Sequence, residues 1–98
     1  MLFHVSWEGI DPTEEGQKRG MALFERWQPP EGAEFQGFYG FADGSGGFAI
    51  VEVDSVAALS RTMAPWTAFL RFDARPILPI EEQTAIEVEG IAFRDSVG

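Results

Sequence analysis

Apolar and polar residues alternate from the first positions of the chain. Over Leu2–Trp7, the residues Phe3, Val5 and Trp7 fall on one side and Leu2, His4 and Ser6 on the other. This period of two marks a strand with one face on a core. Asp11-Pro12-Thr13-Glu14 then supplies a helix start, with Asp11 as the N-cap acceptor, Pro12 at the first helical position and a glutamate three residues after the cap. The helix is predicted to run to about Trp27, placing Gly16, Gly20, Leu23, Phe24 and Trp27 on its inner face at spacings of three and four. A glycine inside a helix costs about 1 kcal/mol against alanine. Gly16 and Gly20 are therefore read as points where the helix comes close to the sheet. Pro29-Pro30 ends it.

Alternation returns over Glu34–Phe41, with Phe35, Gly37, Tyr39 and Phe41 on one side and Glu34, Gln36 and Phe38 on the other. Asp43-Gly44-Ser45-Gly46-Gly47 is a turn built of residues that tolerate positive φ, and the β-branched stretch Phe48–Val53 completes a hairpin. Asp54-Ser55 caps a second helix with Val56, Leu59 and Met63 facing inward, and Pro65 interrupts it. Trp66, Phe69 and Leu70 lead into a fourth strand, Leu70–Ile77. Pro79 then opens a last helix over Ile80–Arg94, whose apolar stripe (Ile80, Ala85, Ile86, Ala92, Phe93) is only weakly periodic. The order β-α-β-β-α-β plus a terminal helix predicts an α+β, ferredoxin-like sandwich in a single domain over residues 1–98: an antiparallel sheet of order 4-1-3-2 with an extra C-terminal helix.

Extending the alternation across the sheet separates two faces. One carries Phe3, Val5, Trp7, Phe35, Tyr39, Ala49, Val51, Val53, Leu70 and Phe72, almost wholly apolar and suited to lie under helices. The other is mixed: Leu2, His4, Ser6, Gln36, Phe38, Phe48, Ile50, Glu52, Arg71, Asp73 and Arg75. Left bare, Phe38, Phe48, Ile50 and Leu2 would form an apolar patch larger than a monomer ordinarily exposes. A second copy is the expected cover, because two-fold dimers dominate among homo-oligomers. Phe38, Phe48 and Ile50 are therefore the candidate dimer interface.

Composition narrows the classes. The chain has 98 residues, 45% of them hydrophobic, enough for one core. It has no cysteine, which removes disulfides, thiolate metal sites and cysteine nucleophiles. No basic stretch precedes a long apolar run and no run is long enough to cross a bilayer, so a cytoplasmic protein without a membrane partner is expected. Seven basic residues against sixteen acidic ones give a formal charge of −9. Such a surface repels phosphate backbones, and nucleic acid is not an expected partner.

The matching of several segments adds a resemblance. Leu2-Phe3-His4-Val5-Ser6-Trp7, the Pro30-Glu31-Gly32 bend, the glycine-rich hairpin into Gly47-Phe48-Ala49-Ile50-Val51-Glu52, Ala64-Pro65-Trp66 and Pro76-Ile77-Leu78-Pro79 resemble small stand-alone proteins classified as a domain of unknown function within the dimeric α/β-barrel superfamily. The resemblance spans nearly the whole chain and implies that fold and a homodimer. The matching features belong to turns and core, and the family supplies no catalytic residues to carry over.

His4, the only histidine, lies on the mixed face of a central strand, and Glu52 and Asp73 are expected across from it on the two neighbouring strands. A histidine beside a carboxylate can act as a general base. Arg71 and Arg75 could form an anion-binding rim on the same face. The same residues also fit a half-buried histidine with charged neighbours on an edge strand that discourage aggregation. Ligand spacing for a metal is lacking, and no metal or cofactor is expected. The Gly44-Ser45-Gly46-Gly47 loop joins two strands and opens no helix, so it is a hairpin turn and not a phosphate cradle. Trp7, Phe24 and Trp27 are read as core. Trp66 follows Pro65 in a break between elements, where it either plugs the end of the sandwich or lines a pocket mouth.

Three readings of function follow. The first is a non-enzymatic dimeric module that binds a small apolar molecule or a protein partner. The second is a small cofactor-independent oxygenase or isomerase, which requires a pocket holding His4 or another base beside apolar walls. The third is a structural or regulatory dimer without a pocket. An enclosed cavity, and the polar groups converging on it, would separate them.

Overall fold

The computed structural model describes residues 1–98. Its elements are β1 (Leu2–Gly9), α1 (Glu14–Arg26), β2 (Ala33–Gly40), β3 (Gly46–Val53), α2 (Val56–Met63), a 3-10 turn (Ala64–Trp66), β4 (Leu70–Pro76) and α3 (Ile80–Val97). The four strands form one antiparallel sheet in the order β2-β3-β1-β4, the predicted order seen from the other edge. The α+β, ferredoxin-like arrangement expected from the alternation is therefore present. No helix is long and apolar enough to cross a membrane.

The core is small and asymmetric. Phe3 and Val5 of β1, Ala49, Val51 and Val53 of β3, and Ala58 and Leu59 of α2 form its buried apolar part. Ser55 caps α2 by accepting from the Ala58 amide at 3.1 Å. The face that α2 presses on the sheet is Ala58, Leu59, Thr62 and Met63, whereas Val56 of the predicted face is 64% exposed. Val56 points outward at the start of the helix, and the buried Thr62 tolerates its position because its hydroxyl donates to the Ala58 carbonyl at 2.8 Å.

At α1 the expected contacts are redistributed. The cap is Thr13, two residues after Asp11, and its hydroxyl accepts from the Gly16 amide at 3.1 Å. Asp11 supports that cap by accepting from the Thr13 amide at 3.0 Å and from its hydroxyl at 2.6 Å. A side chain at Gly16 would collide with the Asp11 carboxylate, and at Gly20 it would meet nothing. The glycines thus do not mark an approach of helix to sheet. No residue of α1 is buried, and the helix stands off from the sheet.

A second correction lies in β2. The pairing with β3 runs Phe35 to Val51, then Gly37 to Ile50, Phe38 to Ala49 and Tyr39 to Phe48, so Gln36 is an extra residue, a β-bulge. A bulge shifts the alternation by one. Phe38 therefore joins Phe35 on the core-side face, and Tyr39 moves to the open face. Near the start of β3, Gly47 has no room for a side chain, because the Trp7 ring and the Tyr39 carbonyl occupy that space.

Candidate functional site

Because α1 stands off, the core-side face of the sheet is only partly filled by side chains, and a cavity of about 830 Å³ remains between helix and sheet. Val5, Ala49, Val51 and Phe72 give it an apolar floor, and Gly16, Gly20, Met21 and Phe24 face it from α1. Six rings line it as one connected cluster. Phe38 sits 5.5 Å from Trp7, 5.0 Å from Phe35 and 6.0 Å from Phe24, and Trp27 lies 5.7 Å from both Phe35 and Trp66. The Trp7–Phe38, Trp27–Phe35 and Trp27–Trp66 pairs are edge-to-face, the arrangement the ring quadrupole favours. Trp66 is placed by the 3-10 turn that Pro65 imposes on the end of α2.

The polar groups of the lining are few: Asp11, Gln17, Glu25, Ser45 and Thr62. Thr13, by hydroxyl and then by amide donation, holds the Asp11 carboxyl below the usual carboxylate range, so it is charged at neutral pH. No lysine, arginine or histidine lines the cavity. Arg19 stands instead over the Phe69 ring, 5.7 Å from its centroid.

The opposite face of the sheet is open. There His4 stacks on Phe48 at 5.3 Å, and Tyr39 and Phe41 lie 5.4 and 6.2 Å from the same ring. Arg71 pairs with Glu8 at 3.2 Å and Arg75 with Asp73 at 3.0 Å.

A family model, Domain of unknown function (DUF3303), matches residues 1–91, from the start of the sheet to Ile91 within α3. The chain belongs to this family. No curated protein matches it. The DUF3303 domain thus includes both sheet faces, the cavity and the greater part of α3.

Within this DUF3303 domain the residues singled out from sequence divide between the two faces. Trp66 lies in the cavity wall. His4, Glu52, Arg71, Asp73 and Arg75 lie on the open face, on the far side of the sheet from the cavity. The register sets Ile50 and Arg75 directly across from His4, while Glu52 faces Leu2 and Asp73 faces Ser6. Both carboxylates are also engaged elsewhere: Glu52 with the amino terminus at 2.8 Å and Asp73 with Arg75. Each carboxylate lies two residues along its strand from the position across from His4. Phe48 and Ile50 of the candidate interface are on the open face, but Phe38 is in the cavity, because of the bulge. Phe24 and Trp27, expected in a closed core, are cavity walls, and Phe24 is 52% exposed. The sequence signal for the bulge was Gly37, since a glycine inside a strand pattern marks irregular pairing.

Proposed function

We propose that this protein is a non-enzymatic binding module that holds a small apolar molecule, uncharged or positively charged, in the aromatic cavity, and that it works as a homodimer. The observation that carries the reading is the cavity itself: about 830 Å³ lined by eight aromatic residues, six of them in one connected cluster. That volume falls in the range of small-molecule sites, about 300–1,000 Å³, and such sites combine apolar walls with a few polar groups. The charge preference follows from Asp11 and Glu25 in a lining without a cation. An anionic ligand would lose its hydration and meet two carboxylates, whereas an ammonium group would gain them and the ring faces as well.

The oxygenase or isomerase reading needs a base beside the apolar walls. Its histidine candidate is on the other face of the sheet, and nothing in the cavity favours that reading over binding. The homodimer is supported by the apolar open face, where Tyr39 stands beside Phe48 and Ile50. Calorimetric titration with 4-phenylbutanol, 4-phenylbutylammonium and 4-phenylbutyrate tests the ligand class. The alcohol and the ammonium are expected to bind, with the carboxylate at least about tenfold weaker, a difference of about 1.4 kcal/mol. Binding of the carboxylate as tightly as the others refutes the charge preference, and binding of none refutes the cavity reading.

A further inference from the structure

The last helix has no partner within the chain. Every residue of α3 is exposed, including Ile80, Ile86, Val88, Ile91, Phe93 and Val97. The molecule is accordingly drawn out, 60 Å along its longest axis, with a radius of gyration of 17.5 Å. A packed chain of this length would have about 13 Å. A lone helix of this length is marginal in water, so its stability has to come from packing. Its apolar residues also lie on two sides. Ile86, Gly90, Phe93 and Val97 form one stripe at steps of four, three and four, while Ile80, Val88 and Ile91 form another on the opposite side.

The connection directs the helix away from its own sheet. Ile77 is pinned by its amide to the Leu2 carbonyl at 2.9 Å, and α3 begins three residues later. Of the two residues between, Pro79 has a ring-locked φ and Leu78, preceding a proline, is confined to extended conformations. The link is therefore a short stiff strut, and folding α3 back over its own sheet would require bending it.

We infer that α3 is an exchanged arm, lying across the open sheet face of a second copy of this chain, with the partner's arm returned by symmetry. This rests on the homodimer proposed above and adds how the dimer is closed. The dimensions agree. An 18-residue helix is about 27 Å long, and strands of eight residues give a face about 26 Å long. One side of such a helix covers on the order of 500 Å². Two arms on two faces then bury on the order of 2,000 Å², counting both surfaces, and a stable dimer needs about 1,200–2,000 Å². The DUF3303 match extends to Ile91, so the arm belongs to the domain and not to a tail.

Hydrogen exchange of the α3 amides, measured together with mass by light scattering on the full chain, tests the exchange. The expected result is a dimer whose α3 amides are protected, with Ile50→Glu on the face and Phe93→Glu on the arm each giving a monomer whose α3 amides exchange freely. Phe93 is 69% exposed in the single chain, so Phe93→Glu leaves the fold of the monomer intact and serves where Ile50→Glu does not fold. A dimer with unprotected α3 overturns the exchanged arm and leaves the dimer standing. A monomer overturns both, whether α3 is protected by folding back or unprotected. A dimer that survives Phe93→Glu with α3 still protected also overturns the proposal.

Discussion

The bulge at Gln36 makes Phe38 and Tyr39 exchange roles, and truncating each in turn measures that exchange. Phe38 is 45% exposed and touches Trp7, Phe24, Trp27 and Phe35, whereas Tyr39 is 59% exposed and stacks on Phe48 alone. Removing a fully buried phenylalanine side chain costs about 3–5 kcal/mol. Roughly half of the Phe38 ring is withdrawn from water, so Phe38→Ala is expected to cost about 1.5–2.5 kcal/mol. In the single chain Tyr39→Ala loses one ring pair and less buried area, about 1 kcal/mol. With a urea slope of about 1–1.5 kcal/mol/M for a chain this small, Phe38→Ala lowers the midpoint by about 1–2 M. The two changes also separate spectroscopically. All three tryptophans line the cavity, and two of them contact Phe38. Tryptophan emission of the folded protein should therefore shift in Phe38→Ala and stay unchanged in Tyr39→Ala, measured at one fixed concentration well above dissociation of a dimer. A shift in Tyr39→Ala with none in Phe38→Ala would mean that β2 alternates without a bulge, and would refute the assignment of the two faces.

Three other outcomes follow from the structure. Leu59→Ala, at a position only 6% exposed in the core, is expected to cost about 2–5 kcal/mol in denaturant titration, and a loss below 1 kcal/mol would contradict the core described. Ser55→Ala removes the α2 cap and should cost about 1 kcal/mol, recoverable in Ser55→Asp; equal stability of all three proteins contradicts the capping role. Asp11 and Asp43 are both held below the ordinary carboxylate value of 3.8, by the hydroxyls and then the amides of Thr13 and Ser45. Their folded values are depressed, so the stability they contribute is full above the unfolded pKa, about 3.9, and fades as pH falls through the folded values. Melting temperatures of Asp11→Asn/Asp43→Asn should thus lie below wild type at pH 6 and converge with it towards pH 2. A gap that stays constant over that range contradicts the assignment.

The strands, their order and the second helix were legible because alternation and capping are local signals that survive into the fold. Phe3, Val5, Ala49 and Val51 are where the period of two puts them. Three other features depended on information outside any single segment. The bulge at Gln36 required knowing which residue of β3 faces Phe35. The distance of α1 from the sheet reversed the meaning of Gly16, Phe24 and Trp27: the spacing identified the inner face, but spacing carries no information on how far that face stands from what it covers. The weak periodicity of α3 was visible as a pattern, and its cause, two apolar sides without an internal partner, became readable once the rest of the chain left it uncovered. Of the candidate chemistry, Trp66 was located from the break at Pro65. His4 lies on the open face, where the period of two places it, while its neighbours are set by a register that adjacency of strands does not specify.

The central claim is that the space between α1 and the sheet receives a small apolar molecule. Tryptophan emission during titration with 4-phenylbutanol tests it most directly, because Trp7, Trp27 and Trp66 all line that space and the protein has no others. The account predicts a saturable change in emission in the wild type, retained in Tyr39→Ala and abolished in Phe38→Asp, which places a charge in the aromatic wall of the cavity. No saturable change in the wild type, or the same saturation curve in Phe38→Asp, would contradict it.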